Sequence, residues 1–215
     1  MRNRLEKINV RINKLFSILY RKKILIEMRK KLKTEDVTII SSNCMGGMIY
    51  HDLNLKFLSP TINMYIHADD FIKLCGNLEY YFSLELEEIT SSLGYPVAKI
   101  GDIKLYLVHY NSFEEPNIAW KLRIKRGNYD NIKVIMVDRD GFNEEMLSDF
   151  SDLPYDKVFF TSKHYNYSFS VHVKEFANRP TLGLINSFGD KKGHRYYEKN
   201  FDIITFLNGG NIWKY

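Results

Sequence analysis

The chain has 215 residues, 45% hydrophobic and 14% aromatic, with two cysteines and a formal net charge of +5. That length supports one hydrophobic core, two cysteines exclude a disulfide framework or a Cys-rich metal site, and the lack of any run of about 18 uncharged apolar residues excludes a membrane span. The charge is uneven: residues 1–33 hold 12 Lys and Arg against 2 Glu, a balance of +10 that leaves −5 on the rest, which argues against a nucleic-acid-binding body.

Residues 3–33 read as a helix. Leu5, Ile8, Ile12, Leu15, Leu19 and Ile26 keep a 3-4 spacing that Lys22 interrupts, and Arg2, Arg4, Arg11, Lys14, Arg21 and Lys23 fill much of the remainder. A basic amphipathic helix fits three uses: lying on an anionic membrane surface, pairing with a second copy, or packing on its own domain, which is the default. The first apolar run is broken by Arg and Lys, so no signal peptide is expected. Thr34-Glu35-Asp36 reverses the charge, and it divides a basic helix at 1–35 from a single domain at 36–215.

Val37–Ile40 is short, apolar and rich in β-branched residues, as a strand buried on both faces should be. A polar turn, Ser41-Ser42-Asn43-Cys44, follows, then Gly46-Gly47. Ser59-Pro60-Thr61 is a turn, Ile62–Ile66 a strand, and Asp69 or Asp70 the cap of a helix through Phe71, Leu74, Leu78 and Phe82. Cys75 on that helix is expected in the core. Val97–Ile100 and Lys104–Tyr110 form a hairpin around Gly101-Asp102. Ser112-Phe113-Glu114-Glu115 reads as a capping box opening a helix through Trp120 and Ile124. Lys133–Val137 and Lys157–Thr161 are further buried strands, with a short helix at Phe142–Phe150 between them. From Ser162 to Asp190 no pattern stands out; Phe201–Leu207 is a last helix stopped by Gly209-Gly210. The alternation predicts an α/β, three-layer domain with a mainly parallel or mixed sheet.

In open α/β sheets ligands collect beyond the carboxyl ends of strands, so the turn after the first strand is the candidate site. Cys44 is the candidate nucleophile, its pKa expected to fall at a helix start. His51, or His109 at the end of a predicted strand, is the candidate base. Asn43 and the amides of Gly46 and Gly47 could hold an oxyanion. Ser42 is a minor alternative nucleophile, or it only caps the turn with Ser41. Asp138 and Asp140 could hold a divalent ion against a diphosphate, as in a glycosyltransferase, although Asp140-Gly141 is also an ordinary turn signal and that reading is favoured. Arg139, Lys192 and Arg195 could bind phosphate or a sugar carboxylate. His164, His172 and His194 have no metal-ligand spacing, so no metal is expected.

One set of residues resembles a known family. Thr38–Gly47, Tyr50-His51-Asp52-Leu53, Phe57–Asn63, Tyr95-Pro96-Val97, His109–Glu115, Asn128–Asn131, Asp138–Gly141, Leu153-Pro154-Tyr155 and Arg195–Lys199 are similar to bacterial proteins labelled exopolysaccharide biosynthesis protein, which carry a domain of unknown function. The chain departs from that pattern with Met45 in place of Trp and Gly127 in place of Ile, and its basic helix is read as lying outside it. A weaker likeness, resting on Asn43-Cys44 and His51, is to cysteine-dependent polysaccharide acetyltransferases.

The resemblance implies a role in capsule or exopolysaccharide synthesis without supplying a mechanism. The polar positions Ser59, Thr61, Asn63 and Ser112 join Ser42, Asn43, Gly46, Gly47, Asp138, Arg139, Asp140 and Arg195 as substrate-binding candidates. The expectation is a cytoplasmic transferase, peripheral at the inner face of the membrane, that moves an acyl group onto a sugar or polysaccharide precursor. Acyl-coenzyme A is a candidate donor, and self-association is open. The rivals are a metal-dependent glycosyl- or phosphosugar-transferase and a non-catalytic assembly protein docked on the membrane through residues 1–33.

Overall fold

The computed structural model describes residues 4–210, with side chains from Ser17 onward. Along the chain come α1 (Arg4–Lys31), β1 (Thr38–Ser41), α2 (Met45–Asp52), α3 (Ala68–Gly76), α4 (Leu78–Ser83), β2 (Glu87–Ile89), β3 (Val97–Ile100), β4 (Ile103–Tyr106), α5 (Glu114–Arg126), β5 (Ile132–Val137), α6 (Met146–Asp152), β6 (Asp156–Thr161), β7 (Ser170–His172) and α7 (Ile203–Leu207). Strands β1, β5, β6 and β7 form a parallel sheet in the order β1-β5-β6-β7, and β2-β3-β4 form an antiparallel one.

The parallel sheet is the middle layer. Successive side chains on a strand point to opposite faces. Ile40, Val134, Met136 and Phe159 therefore join α3, α5, α6 and the antiparallel sheet in one core. Ile39, Ile135, Val137, Val158 and Phe160 join α2, α7 and the C-terminal loops in the other. Burial on both faces is why these strands read as continuous apolar runs. Helix α2 folds straight back over β1. A Cβ on Gly46 would stand 2.9 Å from the Ser41 Cβ, so this approach needs a glycine.

Segment 62–66 splices the two sheets together instead of forming the predicted strand. Ile66 N–H donates to Ser42 O at 2.9 Å, and Tyr65 and Tyr106 exchange two backbone bonds of 3.0 Å. Three other local expectations are corrected by competing contacts. The helix over residues 69–82 breaks at Asn77, whose side chain caps α4 by accepting from Tyr80 N–H. Asp69 and Asp70 do not cap α3, which follows His67; Asp70 accepts from Lys104 N–H instead. No capping box forms at Ser112, because Phe113 occupies the cap position of α5 without a side-chain bond. At the other end, Asp202 caps α7 through the N–H groups of Ile204 and Thr205, and Gly209, at φ +71°, closes it.

From Ser17 on, α1 is fastened to the domain by charge. Arg21 donates to Asp52 Oδ2 and to Glu198 Oε2, each at 2.6 Å, and Arg195 grips Asp52 with bonds of 2.7 and 3.0 Å. The Arg21 and Asp52 side chains are only 6% and 7% exposed. Gly193, at φ +86°, lies under the helix, where a Cβ would come within 2.5 Å of Ser17 O.

Candidate functional site

The site grows out of the end of β1. After Ser41 the chain turns, and Asn43 Oδ1 accepts from Met45 N–H at 3.1 Å. This sets Cys44 at the N-terminal cap of α2, half-buried. On the other sheet, a tight turn after β4 carries His109: Val108 N–H bonds Tyr106 O and Tyr110 N–H bonds Leu107 O. The two turns meet. Cys44 Sγ stands 3.2 Å from His109 Nε2, although the residues are 65 positions apart, and 3.9 Å from Met64 O. His109 is exposed, so the pair opens to solvent. When the His109 proton sits on Nδ1, Nε2 can accept the thiol proton.

Burial pushes the Cys44 thiol up, opposed by the Arg139 charge and by the residue's own N–H, and reinforced by Asp140. This reverses the expected lowering. Removing the sulfur from water outweighs what the first turn of a short helix supplies. The resting group is therefore a thiol that needs a base. The amide of Met45 is already bonded to Asn43, whereas the N–H groups of Gly46 and Gly47, in the first turn of α2, have no helical carbonyl to meet.

An aromatic wall stands beside the pair. Tyr65, next to Met64, stacks on Tyr106 at 4.4 Å and 3°, His67 lies 5.1 Å from Tyr106, and Tyr65 Oη is 3.4 Å from Tyr95 Oη. The Arg139–Asp140 ion pair, at 3.2 Å, flanks it, with Asp140 O accepting from Ala68 N–H. Sequence reasoning missed this wall. Its members come from separate segments, and the only trace in the chain is the abundance of tyrosine, 15 in all.

The other predicted residues scatter. His51 is at the far end of α2 from Cys44, about 10 Å along the helix axis, with its side chain 84% exposed and 4.0 Å from Asp52. Ser59 and Thr61 are fully buried and hold β1: Thr61 Oγ1 accepts from Ser41 N–H at 3.0 Å, and Ser59 Oγ from Thr61 N–H at 3.2 Å. Asn63 adopts φ +63°. Gly47 packs on Ile62. Ser42 is buried, and its hydroxyl has no partner among the described residues. Ser112 is exposed and caps nothing. Arg195 is held by Asp52.

Both carboxylate oxygens of Asp138 are taken by internal donors. Its Oδ2 takes Thr161 Oγ1, Ser162 N–H and Ser162 Oγ at 3.3, 2.6 and 2.7 Å, and its Oδ1 takes Leu182 N–H at 2.7 Å. Among the described residues no three His, Cys, Asp or Glu side chains come together as a metal site. No helix there is long and apolar enough to cross a membrane.

Fold and site together define an α/β protein whose sheets meet at a thiol–imidazole pair beyond the carboxyl end of a strand. The family described as Domain of unknown function (DUF1919) matches residues 15–208, and the chain belongs to that family. A Haemophilus influenzae protein described as "Uncharacterized protein" is 35% identical over 183 residues, which cover 84% of this chain and 88% of the relative. The family match begins inside α1, so the second half of the basic helix lies within the shared region, not outside it.

Proposed function

We propose that this chain is a thiol-dependent acyl transferase acting on a sugar of a surface-polysaccharide precursor, with Cys44 as nucleophile and His109 as base. The observation that carries the reading is the 3.2 Å approach of Cys44 Sγ to His109 Nε2 at the open end of β1. The sequence likeness to exopolysaccharide proteins supports the sugar acceptor, and the adjoining Tyr65, Tyr95 and Tyr106 offer rings against which a sugar can lie.

Because burial favours the neutral thiol, the first step is general-base catalysis. His109 Nε2 takes the Cys44 proton as sulfur attacks the carbonyl of a thioester donor such as acyl-coenzyme A. The N–H groups of Gly46 and Gly47, in the first turn of the helix that Cys44 caps, are the proposed donors for the oxyanion. Collapse breaks the donor C–S bond, the leaving thiolate takes the proton from His109, and the acyl group remains on Cys44 as a thioester. A sugar hydroxyl then gives its proton to His109 and attacks that carbonyl. The Cys44 sulfur leaves and recovers the proton.

The test is intact-mass spectrometry after brief exposure to short acyl-coenzyme A thioesters, joined to acyl analysis of the polysaccharide made by a Cys44→Ala strain. An acyl adduct mapped to Cys44 and a loss of polysaccharide acylation in the variant are expected. Full acylation by Cys44→Ala overturns the proposal.

A further inference from the structure

Helix α1 packs one side, including the half-buried Ile24, Leu25 and Met28, on its domain and leaves a second apolar row outside, where an ordinary surface helix would bury its apolar stripe. The side turned inward carries Ser17, whose Oγ donates to Asp190 O, and Arg21 in its ion pairs, with Met28 and Leu32 packed below. The apolar residues Ile18, Leu19 and Ile26 point outward, 50%, 70% and 43% exposed. Lys22, Lys23 and Lys30 are exposed among them, Lys30 paired with Glu27 at 2.9 Å. At 3.6 residues per turn these six positions share one side of the helix.

Charge selects the occupant. Lys22, Lys23 and Lys30 stand on the outward side, so two copies laid face to face would bring cation against cation. An anionic lipid surface satisfies both halves of the pattern: apolar side chains enter the boundary between headgroups and acyl chains, and lysines meet phosphates. Lys191 and Lys192 line, with Lys23 and Lys31, a groove of about 1230 Å³ beside α1, which Glu27, Glu198 and Asp202 also line. The rest of the chain carries −5 and would be repelled, which directs this side to the surface. We propose that α1 lies flat on an anionic bilayer, with Leu19 and Ile26 inserted and Lys22, Lys23 and Lys30 at the headgroups.

The test is co-sedimentation of the full chain with vesicles of phosphatidylcholine alone, or mixed with phosphatidylglycerol. Binding to the mixed vesicles is expected to be at least about tenfold tighter, and to weaken with salt. The double variant Leu19→Glu/Ile26→Glu should lose about tenfold or more while its circular dichroism and melting temperature stay unchanged, because both positions are exposed. Lys22→Glu/Lys23→Glu should lose the lipid preference. Failure to bind the mixed vesicles, or unchanged binding by Leu19→Glu/Ile26→Glu, overturns the proposal. So does a concentration-dependent dimer in sedimentation velocity that Leu19→Glu/Ile26→Glu abolishes, since the occupant would then be a second copy. The proposal is independent of Cys44 chemistry: Cys44→Ala should bind vesicles as the unaltered chain does.

Discussion

Two effects compete at Cys44, and their balance sets its chemistry. Burial keeps the sulfur protonated, while Arg139 and the local N–H favour the anion; burial wins. Iodoacetamide should therefore label Cys44 more slowly near pH 7 than a free cysteine, with the rate climbing as pH passes the ordinary thiol range. Cys75 is fully buried and its thiol is also pushed up by burial, so it should stay unlabelled until the chain unfolds. Peptide mapping of the adduct checks both. His109→Ala should lower acyl transfer about 100-fold or more, and His51→Ala should leave it near the original rate, because His51 is turned to solvent at the other end of α2; steady-state kinetics separates them. Thr61, a polar residue the sequence offered as a ligand contact, instead holds up β1. In Thr61→Val the buried Ser41 N–H loses its acceptor, which should destabilise the fold by about 1–3 kcal/mol in chemical denaturation. A hydroxyl that binds substrate and one that satisfies a strand end look the same in sequence; only burial distinguishes them.

Among the elements, α1 is the one whose role depends on which face docks. Its helical character was legible from the spacing of Leu5 to Ile26. Its orientation was not, because a stripe announces a partner without saying whether that partner is the same chain. Arg21, which looked like one more surface cation, is the anchor. Arg21→Ala leaves Asp52 and Glu198 in a buried site short of a cation, and should reduce stability by about 3–5 kcal/mol. Burial alone would raise the Asp52 pKa, but the hydrogen bonds and charges of Arg195 and Arg21 overcome it and hold the carboxylate below its usual range. A carboxylate lowered in the folded state contributes stability that is full above its unfolded value, about 3.9, and is lost as pH falls through the folded one. The melting temperature should thus drop below about pH 4, and drop less in Asp52→Asn, which lacks that charge throughout. Gly193→Ala should also loosen α1, since it forces a side chain into a positive φ and against the helix backbone.

For the whole molecule, the ion network makes the basic helix part of the folded unit. Deleting residues 1–33 should lower the melting temperature and expose the C-terminal loops to protease, because Arg21 and the cover from Met28 and Leu32 leave together. The sequence by itself determined the α/β class, the buried strands at β1, β5 and β6, the turn that carries Cys44 and the uneven charge, since each is written in neighbouring residues or in helical and strand spacing. Only the tertiary structure decided that His109, not His51, meets the thiol, that Asp138 and Arg195 are held by internal partners, and that Ile18, Leu19 and Ile26 of α1 face outward. Those outcomes depend on residues far apart in the chain meeting where two sheets, or a helix and a loop, come into contact, and on desolvation, which no local spacing records.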